Sequence, residues 1–206
     1  MAHQRPAAGE EWNPGEETRA REAASVLVLR DSADGPEVLL VQRNPEARFM
    51  GGAWVFPGGS VHDEDGGPGG AAIRELEEEA AVTLGGEDEL VPYSRWITPA
   101  EVKTRFDTHF YLARAPEAAE PVCDGQECVA LGWYRPARAL EEGQRGELSL
   151  VFPTIKNLEG LTAFASVDEA LADARTREVV PVQPRVVTSD GDVRVLMPGE
   201  EGYDRE

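Results

Sequence analysis

Residues 54–82 read WVFPGGSVHDEDGGPGGAAIRELEEEAAV. Ala72, Ile73, Leu76 and Ala80 recur at spacings of three and four, an apolar stripe that predicts an amphipathic helix beginning at about Ala71. The glycines at 66–70 read as a flexible loop ahead of it. Glu75, Glu78 and Glu79 stand at i, i+3 and i+4 and share one helix face, whereas Glu77 projects elsewhere, into solvent. Like charges at these spacings repel by roughly 0.2–0.5 kcal/mol a pair, so the face either meets water or is held together by a cation. A strand ending in Pro-Gly-Gly brings backbone carbonyls, that of Gly58 included, toward these carboxylates. Hard oxygen donors of this kind suit Mg2+ or Mn2+, which retain waters and engage phosphate oxygens.

On the N-terminal side, AASVLVLRD (23–31) and EVLLVQR (37–43) are Val- and Leu-rich runs flanking an Asp-Gly turn, the pattern of a β-hairpin. On the C-terminal side, SRWITP (94–99), RFDTHFYLARA (105–115) and CVALGWYRP (128–136) read as strands, with Phe106, Thr108, Phe110 and Leu112 on one face. ARALEEG (137–143), TIKNLEGLTAF (154–164) and SVDEALADAR (166–175) read as helices, the last with Ser166 as N-cap and Glu169 completing a capping box. VVPVQPRVV (179–187) and DVRVLMP (192–198) flank TSDG, a second hairpin. It is either an arm for a homodimer or a completion of its own chain's sheet. This order of strands, helix, strands, helices and strands predicts an α/β sandwich with a mixed sheet. Residues 1–20 read as a flexible acidic tail, 21–200 as a single domain and 201–206 as a second tail.

Asp and Glu total 39 against 20 Lys and Arg, a net charge of -19 without any concentrated basic run, which argues against polymeric nucleic acid as a partner. Small anionic substrates remain compatible, because a divalent cation held by carboxylates inverts the local charge. No run of about 18 apolar residues occurs, and the N-terminal stretch lacks the apolar centre of a signal peptide, so the expectation is a cytoplasmic protein without membrane contact. Cys123 and Cys128 are too few for a disulfide framework and are expected as reduced thiols.

The central stretch resembles the signature of the Nudix hydrolases: Gly, five residues, Glu, seven residues, Arg-Glu, an aliphatic residue, any residue, Glu-Glu, any residue, Gly, an aliphatic residue. Arg74, Glu75, Leu76, Glu78, Glu79 and Val82 stand at matching positions, preceded by FPGG. Two departures are visible. The interval from Gly59 to Arg74 is one residue too long, leaving Asp65, with Glu64 as rival, for the first acidic position, and Ala81 replaces the motif glycine. The resemblance implies a Nudix-type α/β/α sandwich and metal-dependent hydrolysis of a nucleoside diphosphate linked to a group X. It further implies Mg2+ or Mn2+ held by Glu75, Glu78, Glu79 and the Gly58 carbonyl, with Arg74 orienting a glutamate. A further ligand or base is expected on a later loop. Glu127 is the candidate, against the reading of a merely solvated residue.

Upstream, Leu39, Leu40, Arg43, Arg48, Gly52 and FPGG are similar in spacing to a pattern of the coenzyme A diphosphatase branch, peroxisomal type, with Val41 and Asn44 replacing its Thr and Ser. This resemblance implies coenzyme A or an acyl derivative as substrate, gripped by Arg43 and Arg48, with Gly59 beside it and Trp54 available to stack a base. ADP-ribose, dinucleotides and oxidised nucleotides are the competing substrates. A Nudix-fold metabolite sensor without turnover is the alternative of a different class.

Overall fold

The computed structural model describes residues 11–13, 15–189 and 192–204. In chain order it contains β1 (Arg21–Ser32), β2 (Gly35–Arg43), β3 (Trp54–Val55), β4 (Gly58–Ser60), α1 (Pro68–Ala80), β5 (Val91–Ile97), β6 (Phe106–Arg114) and β7 (Cys128–Tyr134). There follow α2 (Pro136–Gln144), α3 (Phe152–Leu161), α4 (Val167–Thr176), β8 (Pro181–Val182), β9 (Arg185–Ser189) and β10 (Asp192–Leu196).

The first eight strands form one sheet in the order β3-β2-β1-β6-β5-β8, with β4 pairing β1 and β7 pairing β2. The sheet is mixed: β1 runs parallel to β6 and β5 parallel to β8, while β1 is antiparallel to both β2 and β4. The first hairpin closes as expected, with Ser32 opposite Gly35. The two-residue side-chain period then assigns each strand residue to a layer. Leu27, Leu29, Val38, Leu40, Phe110 and Leu112 pack with the helices of the C-terminal half. Ala24, Val26, Val28, Leu39 and Val41 face the other way, onto Ala72, Leu76 and Ala80 of α1. Helices cover both faces of the sheet, the α/β/α sandwich that the element order predicts.

Four expectations are corrected, and one open alternative is decided. Helix α1 begins at Pro68 rather than Ala71, so part of the glycine-rich segment is helical. Pro68 supplies a preset φ at the first position, and Gly70 has no Cβ, which would collide with the Asp65 carbonyl. Residues 11–20 do not hang free. Trp12 bridges Val102, the Lys103 N–H donates to the Glu11 carbonyl at 2.9 Å, and the buried Arg105 donates to the Thr18 carbonyl at 2.6 Å. Residues 1–10 lie outside the described part. At the other end the Tyr203 hydroxyl donates to the Gln183 carbonyl at 2.7 Å, tying down part of the second expected tail. Such anchors lie far away in sequence, and composition does not reveal them. Cys123 and Cys128 are joined as a disulfide within one short loop, not held as separate thiols. Finally, β9 and β10 pair with each other in a separate two-stranded sheet and do not complete the main one. Among the described residues no helix is long and apolar enough to cross a membrane.

Candidate active site

The carboxylate face of α1 lies against β4. Neither Gly58 nor Gly59 tolerates a side chain: a Cβ at Gly59 would fall on the Glu75 carboxylate, and one at Gly58 on the backbone of Ala24 and Ser25. This absence lets strand and helix approach closely enough for the Gly58 N–H to donate to Glu79 Oε2 at 3.0 Å.

Arg74 organises one side of the face. Its Nε and Nη2 bind the two carboxylate oxygens of Asp65 at 2.7 and 3.0 Å, and Nη2 also donates to the Ser60 carbonyl. Nη1 reaches Glu75 Oε1 and Glu78 Oε2, both at 2.9 Å. Asp65, not Glu64, is therefore the acidic partner of the helix arginine. The bidentate guanidinium holds its carboxyl down to about 2, with the His62 N–H as a further donor. Glu78 is exposed, as is Glu77.

Glu79 sits in the opposite circumstance. It is 3% exposed, and burial pushes its carboxyl up to about 7, helped by the charges of Glu75 and Glu127 and opposed by the Gly58 N–H and Arg43. Burial also raises Glu75, outweighing its bond to Arg74. Glu75 keeps Arg74 as its cation, whereas the one hydrogen-bond donor to Glu79 among the described residues is the Gly58 N–H. The oxygen donor set fits a hard divalent ion. As they stand, no three carboxylate, imidazole or thiolate side chains among the described residues gather around one point, because Arg74 draws Glu75 and Glu78 to itself.

Glu127 is brought to this site by a clamp that sequence reading missed. The Asp124 carboxylate accepts from the N–H groups of Glu127 and Cys128 at 3.0 and 2.8 Å, while the Asn44 N–H donates to the Glu127 carbonyl at 2.8 Å. Asp124, two residues before Gln126 in a Gly-containing turn, is the one local signal for such an Asx cap. The clamp hangs the loop on the end of β2, where Arg43 lies in register with Cys128. Arg43, Gly58, Gly59, Arg74, Glu75, Glu78 and Glu127 line a single cleft of about 420 Å3. The Nε of Arg43 is buried and has no hydrogen-bond partner. Two predicted contacts are not brought in: Arg48 is exposed and outside the cleft wall, and Trp54 packs edge-on against Tyr134 at 5.5 Å.

At the far end of α1, Ala81 takes up the left-handed conformation, φ 53° and ψ 33°, that the motif glycine would occupy, and its N–H donates to the Glu77 carbonyl at 3.0 Å. The helix terminus is preserved at the cost of backbone strain.

The sequence profile described as NUDIX domain matches residues 19–153. Putative nudix hydrolase 7 of Caenorhabditis elegans is 26% identical over 223 residues, spanning 89% of this chain and 74% of that protein. Nudix hydrolase NudL of Klebsiella pneumoniae, described as uncharacterized, is 31% identical over 124 residues, 55% of this chain and 62% of its own length. Among solved structures, a NUDIX hydrolase from Alicyclobacillus acidocaldarius is similar with a TM-score of 0.70 at 28% identity, over 75% of this chain and 96% of that one. The NUDIX domain of Shewanella oneidensis NrtR, complexed with ADP ribose, shares the fold at a TM-score of 0.56 and 18% identity, over 71% and 88% of the two chains.

Proposed function

Starting from a chain that belongs to the NUDIX domain family and is a Nudix hydrolase, we propose that it cleaves the diphosphate linkage of a nucleoside diphosphate derivative with the help of Mg2+ or Mn2+. The observation that carries this reading is Glu79: a buried carboxylate, raised to about 7 and given one backbone donor by Gly58, directly behind a cleft lined by Gly58, Glu75, Glu78, Glu127 and an Arg43 whose buried Nε has no hydrogen-bond partner.

Glu75, Glu78, Glu79 and the Gly58 carbonyl would hold the ion. When bound, a divalent cation neutralises the diphosphate and acidifies a water for attack on phosphorus. Arg74 keeps Glu75 and Glu78 oriented, and Asp65 keeps Arg74 oriented. Arg43 donates its free Nε–H to a phosphate oxygen. Glu127 accepts the proton of the attacking water at a carboxylate oxygen, in a position set by Asp124 and Asn44. Within this class, coenzyme A or an acyl derivative is the substrate suggested by the spacing of Arg43 and FPGG. The exposed position of Arg48 leaves Arg43 to carry that suggestion alone.

A panel of diphosphates that includes coenzyme A, ADP-ribose and dinucleotides, assayed with Mg2+ or Mn2+ and then with EDTA, tests the reading. Turnover should require the ion and vanish in chelator. Unchanged activity in EDTA overturns the metal role, and cleavage of other members without coenzyme A retires the coenzyme A assignment.

A further inference from the structure

Next to the carboxylate cleft lies a second space that the hydrolytic chemistry does not use, a chamber of about 170 Å3. Trp96 of β5 and Phe152 of α3, edge-on at 5.8 Å, form one wall. Val186, Val193 and Val195 of the C-terminal hairpin, with Trp12 of the N-terminal strap, form the other. Met50, Thr98, Thr108, Val151 and Pro153 border both the chamber and the cleft, so the two spaces adjoin. Apolar cavities of about 150 Å3 stay dry and take up a molecule the size of benzene.

The geometry points to an apolar subsite: the chamber receives a ring-sized or short-chain apolar group carried by the X half of the diphosphate substrate, and the enzyme selects its substrates by that group. This rests on the diphosphatase reading above and adds the chemical class of the leaving half. Residues of the N-terminal strap and of the hairpin border a space that adjoins the carboxylate cleft and is lined mainly by Val, Trp, Phe, Pro and Met side chains, with the two threonines at the shared boundary.

The test is a homologous series of adenosine 5'-diphosphate alkyl esters, from ethyl through hexyl to dodecyl, assayed for kcat/KM with Mn2+. Their dissociation constants are measured by calorimetry on metal-free protein in EDTA, where no turnover occurs. Each methylene that enters the chamber should improve both quantities about fourfold, on the order of 100-fold across the series, before the gain levels off when the space is full. Val195→Trp, or Val186→Trp should the first fail to fold, should bring the ratio of longest to shortest ester toward one in both measurements. Cleavage of every ester at an equal rate, with equal binding, overturns the apolar subsite and leaves the diphosphatase reading intact. Absence of cleavage of any ester with either metal ion overturns the diphosphatase reading and the inference with it.

Discussion

Two carboxylates near the same helix face have opposite fates. Asp65 is shielded, gripped on both oxygens by Arg74 and held down to about 2, whereas Glu79 is buried with one backbone donor and pushed up to about 7. The paired acid belongs to the scaffold, because its partner is built in. The under-partnered acid marks the place where the protein expects something from outside. A buried charge without a partner persists in a fold when ligand binding repays its desolvation.

The sharpest way to break this contrast is Glu79→Gln, which keeps the shape and removes the charge. We expect kcat to fall by roughly 100-fold, about 2.7 kcal/mol of barrier, while the metal-free protein at pH 8 melts no earlier than wild type. Glu77→Gln, made alongside, should change neither quantity. A comparable loss of turnover at Glu77 would show that the helix presents a different face. Arg74→Ala probes the other side by stranding Asp65 and freeing Glu75 and Glu78. A loss of about 2 kcal/mol in a denaturant titration is expected, discounted for the partial exposure of the arginine. A stability equal to wild type would mean that the guanidinium only orients.

A pH series on metal-free protein separates the two acids by sign. Asp65 has a folded value below its ordinary 3.8, so its stabilisation is present above that value and is lost as pH falls toward about 2. Glu79 has a folded value above its ordinary 4.5, so its favourable contribution is present below 4.5 and is lost as pH rises through about 7. Thermal melts in EDTA should therefore decline on both sides, and Glu79→Gln should flatten the slope between 4.5 and 7 alone. The smallest effect concerns the end of the helix. Ala81→Gly relieves the left-handed strain at a price in unfolded-chain entropy, for a net gain of about 0.5 kcal/mol, or about 1–2 °C in Tm.

What the sequence made legible and what it hid divide along the same physical line. The apolar stripe of α1, the facing of Glu75 and Glu79 away from Glu77, and the first hairpin depend on periods of three to four and of two, which neighbouring residues display on their own. The spacing also favoured Asp65 over Glu64, although an inserted residue blurred the motif. Hidden were features that depend on contacts across the chain. Gly69 and Gly70 read as loop formers, yet they belong to a helix because a nearby turn needs the room of their missing side chains. Trp12 sits in a stretch whose composition suggests a tail, and its partner Val102 lies past all of β1–β5 in the chain. Arg48 and Trp54 fitted a spacing pattern, but spacing along an irregular loop and a two-residue strand does not fix direction.

The parallel pairing of Arg21–Leu29 with Phe106–Arg114 carries a consequence for how the molecule comes into being. Helix α1 and strand β4 both lean on β1, and the second edge of β1 is paired only after the chain has run through β6. Closing so long a loop is entropically costly and raises contact order, which slows folding. On a ribosome, the glutamate helix therefore emerges just after β1 and β4, on which it leans, and before β6 pairs the second edge of β1. Chains interrupted before β6 would thus hold the carboxylate face on a β1 whose second edge is still unpaired.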